Sequence, residues 1–211
     1  MAEFNDFNIL IEKAKSYFEN GSGGHGFDHV NRVFNNSIII SEGEDVDLDI
    51  VKASALLHDI ARLKEDLKEV KCHAEEGAKM AREILQEFDF PENKIEKVIH
   101  AIKVHRYSKG LKAESREAEI LQDADRLDAL GASAIARIMS RAGKKGIPIY
   151  DAEISPKDFY DGEGTTAINH FHEKILKIKP GTFKTKKARE LAKERYDFVK
   201  EFVDRFLEES K

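Results

Sequence analysis

The chain has 211 residues, a net charge of -5, 41% hydrophobic and 36% charged residues, and a single cysteine. That length suits one domain with its own core, and the lack of a basic excess excludes duplex nucleic acid as an expected partner. Cys72 has no internal disulfide partner, no apolar run approaches the roughly 20 residues of a membrane span, and the first residues lack a basic-then-apolar leader. The expectation is therefore a cytoplasmic protein with no membrane partner.

Phe4, Phe7, Leu10, Ile11, Ala14 and Phe18 recur at helical spacing, which predicts an amphipathic helix over 3–19. Gly21, Ser22, Gly23 and Gly24 end it in a loop that carries His25, a contact at the mouth of a site if it is more than a solvated loop histidine. A second helix is expected over 28–41, with Asp28 as its cap and Val30, Val33, Phe34, Ile38 and Ile40 on the apolar face beside His29. A third runs from 47 to 62 through Ile50, Val51, Ala53, Ala55, Leu56 and Leu57 to His58, Asp59 and Arg62. Residues 64–71 form a charged connector. Cys72 reads as a small buried residue. A fourth helix follows over 73–88.

Pro91 suits the first turn of a fifth helix that carries Ile95, Val98, Ile99, His100, Ile102, Lys103 and His105. Lys109 and Gly110 break it. The sixth spans 117–130 and holds Asp125 and Arg126, and its period continues through Gly131 to Ile135, Ile138 and Met139. From 143 to 164 glycine and proline accumulate, and an ordered, irregular loop is expected; loops this long are usually functional or mobile. Helices over 165–178 and 185–209 close the chain. The sum is an all-α fold: one domain over 1–211, its core at about 25–135, with the C-terminal helices of 165–210 packed on it.

His29, His58, Asp59 and Asp125 sit in apolar helical settings, where an unpaired charge is costly. Two imidazoles and two carboxylates suit one divalent transition metal, Mn, Fe, Co, Ni or Zn, with Mg the poorer match. Four protein ligands on an octahedral ion leave room for water and a phosphate oxygen, and a metal in that position activates water and polarises phosphorus. Arg62, Lys103, Arg106 and Arg126 are candidate phosphate binders, although most of the 35 lysines and arginines must simply be surface charge.

The order and texture of His29-x-x-Arg32-Val33, Leu57-His58-Asp59-Ile60-Ala61-Arg62 and Ala124-Asp125-Arg126-Leu127 resemble the HD superfamily of metal-dependent phosphohydrolases. Asp123–Ala132, Asn169–Lys174 and the last helix around Arg195 extend the likeness to small stand-alone bacterial HD hydrolases over nearly the whole chain. The resemblance implies that His29, His58, Asp59 and Asp125 ligate the metal and that His58, Asp59 and Arg62 carry catalysis. Arg62 stands where many HD proteins have lysine. Some branches use extra histidines for a second metal, and His73 and Val104-His105 look somewhat like that branch. The reading here takes a single metal, with His73, His100 and His105 supporting the site or contacting phosphate.

The expected function is hydrolysis of a nucleotide, with a nucleoside triphosphate split to monophosphate and pyrophosphate as the leading activity. A 5'-nucleotidase, or another small phosphomonoesterase or phosphodiesterase, is the alternative. A catalytically idle nucleotide-binding regulatory module is the alternative from another class; intact ligand positions argue against it. The expected partner is a small phosphate substrate, and the oligomeric state is left open between monomer and homodimer.

Overall fold

A computed structural model describes residues 4, 6–18 and 26–211. The chain is all-α, with no strand among the described residues. It divides into two compact units, Met1–Arg126 and Leu127–Lys211.

The first unit is built around α3 (Leu48–Leu57). Eight of its ten residues are buried, because leucine, isoleucine, valine and small residues cover nearly every side. A helix apolar all round belongs inside. It packs against α1 (Phe7–Ser16), α2 (Phe27–Ser41), α5 (His73–Glu87) and α6 (Glu92–Val104). Leu10, Ile50, Leu56, Leu57, Leu85, Ile95 and Ile102 are each at most 1% exposed. Each such side chain contributes about 1.5–3 kcal/mol by leaving water. Asp47 caps α3 by accepting from the Asp49 N–H at 3.0 Å. Both carboxylates hold the buried Lys94 of α6, at 2.9 and 2.7 Å.

Several boundaries differ from the sequence expectation. Asp28 lies inside the first turn of α2 and pairs with Arg32 at 2.8 Å; the cap position is Gly26. α3 stops at Leu57, so His58–Ala61 form a turn, and the charged connector begins as a short helix, α4 (Arg62–Asp66). Pro91 occupies the cap of α6 and not its first turn. Cys72 is half-buried. A 3-10 turn, Tyr107–Lys109, ends in Gly110 at φ 63°, and α7 (Arg116–Leu127) follows.

In the second unit Gly131, at φ 84°, precedes α8 (Ala132–Lys145). A Cβ at Gly131 would lie 3.2 Å from the Arg195 side chain, which itself donates to the Leu127 carbonyl at 3.2 Å. The apolar period crosses this point; the helix does not, because glycine there adopts a left-handed conformation closed to other residues. α8 runs past Gly143, so the irregular segment begins at Gly146. α9 (Ala167–Glu173) organises that segment. Asn169 donates to the Ile154 carbonyl at 2.7 Å, and Glu173 accepts from the Lys157 N–H at 3.0 Å and the Thr165 hydroxyl at 2.9 Å. α10 (Lys186–Glu209), capped by Thr185, ends the chain. Among the described residues, no helix is long and apolar enough to cross a membrane.

Candidate metal centre

All the residues of the centre belong to the first unit. His29 lies in the first turn of α2, His58 and Asp59 in the turn that ends α3, and Asp125 near the end of α7. His29, His58 and Asp59 are at most 2% exposed. The Nε2 atoms of His29 and His58 are 3.3 Å apart. Asp125 Oδ1 lies 3.4 Å from His29 Nε2, and Asp59 Oδ2 lies 3.8 Å from both ring nitrogens. The four residues expected from sequence therefore converge.

A second group adjoins the first. Asp59 Oδ1 is 3.0 Å from His73 Nε2 and 3.6 Å from His105 Nε2, and the two rings approach at 3.3 Å. Asp59 thus offers one oxygen to each group. Ligand atoms of His29, His58 and Asp125, and separately of Asp59, His73 and His105, lie within 4.8 Å of one another.

Hydrogen bonds on the far side of the rings fix how they present themselves. The Ala55 carbonyl accepts from His58 Nδ1 at 2.8 Å, and the Ile102 carbonyl from His105 Nδ1 at 2.7 Å. Glu65 Oε2 accepts from His73 Nδ1 at 2.7 Å. Each acceptor assigns the proton to Nδ1 and turns the Nε2 lone pair inward. Inward lone pairs 3.3 Å apart call for a proton or a cation between them. Outward acceptors on inward-facing imidazoles are the usual surroundings of metal-binding histidine, so this donor set fits a divalent ion.

Burial pushes the His58 imidazole down to about 4, more than the nearby carboxylates raise it, which keeps the ring neutral at physiological pH. For His105, burial also lowers, but the hydrogen bond and charge of Asp59 prevail and the pKa rises. Burial raises the Asp125 carboxyl, and His29, followed by His58 and His105, outweighs it, so Asp125 stays ionised.

The other residues singled out from sequence divide. His73 and His105 reach the centre, whereas His100 is elsewhere on α6, accepting the Glu114 N–H at 3.1 Å. Arg62 is held by Asp66 at 3.2 Å, and Arg106 by Glu65 at 3.2 Å. Arg126, 9% exposed, lies over the Tyr107 ring at 3.6 Å. Lys103 is exposed. His25 lies outside the described residues. Glu65 was hidden in the charged connector, and nothing in the local sequence separates it from its neighbours.

The HD domain model matches residues 26–130, the stretch that carries all of these groups. Over 207 residues the chain is 35% identical to the protein YpgQ of Bacillus subtilis (strain 168), covering 96% of this chain and 93% of that one. An HD-superfamily hydrolase from Bacillus thuringiensis superposes with a TM-score of 0.76 at 34% identity, over 96% of this chain and 95% of that one. The structure of YpgQ in complex with ADP gives a TM-score of 0.73 at 31% identity, over 97% and 94% of the two chains. With the His58-Asp59 pair at the junction of two groups of converging ligand atoms, and with relatives matching nearly end to end, the chain belongs to the HD domain family.

Proposed function

We propose that the protein is a metal-dependent phosphohydrolase that acts on a nucleotide, with a nucleoside triphosphate split to monophosphate and pyrophosphate as its leading activity. The observation that carries this reading is the pair of ligand groups, buried apart from Asp125, joined through the carboxylate of Asp59. His29, His58, Asp59 and Asp125 would hold one divalent ion, with manganese among the metals their nitrogen and oxygen donors suit. A bound ion supplies Lewis acidity towards a phosphoryl oxygen and acidifies water. The nucleotide part rests on one relative: YpgQ has been crystallised with ADP.

The protein's own side chains have distinct tasks in this scheme. Asp59 and Asp125 bring carboxylate oxygens and His29 and His58 ring nitrogens, a mixed donor set that suits a divalent cation. Arg62 and Arg126, beside Asp59 and Asp125 in sequence, bind the phosphates that a single ion leaves uncompensated. Asp66 steadies the Arg62 guanidinium at 3.2 Å, and the Tyr107 ring steadies that of Arg126 at 3.6 Å. His73 and His105 close on the second oxygen of Asp59, at 3.0 and 3.6 Å. A second reading places another cation among Asp59, His73 and His105, and the specific observation in its favour is the 3.3 Å approach of two inward-facing Nε2 atoms.

The test is a screen of nucleoside mono-, di- and triphosphates with Mn, Co, Ni, Zn and Mg, scoring phosphate and pyrophosphate separately, beside metal analysis of the purified protein. Pyrophosphate from triphosphates, with one ion per chain, supports the leading reading. Phosphate from monophosphates alone shifts the assignment to a nucleotidase, and two ions per chain favours the second reading. Nucleotide binding without turnover under any metal would leave a regulatory module.

A further inference from the structure

Glu65 ties together three elements that the chain brings back to Asp59. It sits on α4, with its side chain 22% exposed. One carboxylate oxygen, Oε2, accepts both the backbone N–H of His73, at 2.6 Å, and its ring Nδ1–H, at 2.7 Å. The Arg106 guanidinium reaches both oxygens, at 3.3 and 3.2 Å. The backbone bond satisfies a donor in the first turn of α5, where Cys72 provides no side-chain cap. The Arg106 bond pins the residue after His105, at the point where α6 ends.

We propose that Glu65 is a positioning residue of the metal centre: it holds the proton of His73 on Nδ1, turns the Nε2 lone pair towards Asp59, and anchors the neighbour of His105. Among the described residues Glu65 is the acceptor at His73 Nδ1, and its removal leaves that proton without a protein partner. The tautomer carrying hydrogen on Nε2 is then favoured, because Asp59 Oδ1 waits 3.0 Å away as an acceptor. In that state the ring donates where a cation needs a lone pair. A carboxylate behind a metal-binding imidazole changes metal affinity by about 10–100-fold.

The inference rests on the second of the two metal readings, in which His73 ligates a cation, and only in its second measurement. The first is made on metal-free, full-length protein with 15N-labelled histidine. Wild type should show a low-field, exchange-protected His73 Nδ1–H proton, because the ring is 1% exposed and bonded to Glu65. Glu65→Gln keeps an oxygen for that proton and should retain the signal while losing the Arg106 pair. Glu65→Ala should lose the signal, and Glu65→Asp, which draws the carboxylate back by one methylene, serves if the alanine variant does not fold. Absence of the signal in wild type, or its persistence in the alanine or aspartate variant, overturns the proposal. The second measurement is calorimetric titration with Mn or Zn: Glu65→Ala should bind about 10–100-fold more weakly than wild type, with Glu65→Gln between them. Wild type that binds no divalent ion defeats the metal reading, and the proton signal still decides the role of Glu65.

Discussion

Replacing Asp59 by asparagine tests the centre through stability as well as activity. An ion that binds only the folded protein stabilises it by mass action, about 2.7 kcal/mol at a hundredfold excess over the dissociation constant. For chains of this length about 1 kcal/mol moves the melting midpoint by about 2–4 °C, so the added metal should raise it by about 5–11 °C. Asp59 contributes an oxygen to both ligand groups, at 3.8 and 3.0 Å from their ring nitrogens. Loss of that carboxylate should cost at least the roughly 100-fold that even an outer contact can cost. At the same metal concentration the excess falls to about one, the stabilisation to about 0.4 kcal/mol, and the shift to about 1–2 °C. Differential scanning calorimetry with and without chelator reads this directly. All proposed ligands lie in the first unit, so a transition confined to Leu127–Lys211 should not move. Asp66→Asn, a carboxylate with its side chain 54% exposed, is the control and should respond like wild type. A metal-induced shift in Asp59→Asn equal to that of wild type would refute the ligand assignment.

Arg62→Ala should weaken turnover of a triphosphate far more than hydrolysis of a small aryl phosphate; equal losses mean that Arg62 does not read the polyphosphate. Lys94→Ala leaves Asp47 and Asp49 without their buried cation and should destabilise the protein by about 3 kcal/mol in urea unfolding; a change below about 0.5 kcal/mol, the range of ordinary surface substitutions, would contradict that. Gly164→Ala would set a methyl 2.7 Å from the Cβ of His170 and should cost about 1–3 kcal/mol by overpacking, measured the same way; an unchanged midpoint would show that the loop yields freely. His170 is held down to about 4 by burial and then by Lys174 and Arg141. The unfolded chain therefore takes a proton that the folded one refuses, and this contribution to stability falls as pH drops from about 6.5 to 4. His170→Phe should flatten that slope in a pH series of unfolding curves, and an unchanged slope would assign it to other groups.

The four proposed ligands stand out in the sequence through their order and the HD-like motifs around them, set in apolar helical runs, and the structure brings them together. Helix ends were less legible. Ile60 and Ala61 are buried at 3% and 0%, so the apolar run continues beyond the point where α3 has already stopped. No glycine or proline marks the break, and hydrophobicity reports burial, not backbone conformation. Gly131 deceived in the same way: the residues beyond it resume an apolar face, yet its φ of 84° starts a new helix. His100 precedes His105 by five residues, which at 3.6 residues per turn sets it about 140° around α6, and its ring accepts the Glu114 N–H there.

Glu65 shows what helical periodicity cannot reach. It contacts His73 across eight residues, a spacing that no helix would use, because the chain reverses between them. Lys68 sits at φ 63°, and the Glu69 and Val70 N–H groups both turn back to the Lys64 carbonyl, at 2.8 and 3.4 Å. A left-handed lysine is uncommon, and the sequence gives no sign of it. That reversal carries α5 back beside α4, puts His73 against Asp59, and leaves Glu65 behind the ring. Asp59 can then serve two groups because it lies beyond the last turn of α3, where its two oxygens face α2 and α7 on one side and the start of α5 and the end of α6 on the other. The turn that follows a single apolar helix thus supplies a shared carboxylate in Asp59, and the charged connector supplies Glu65 behind one of the rings facing it.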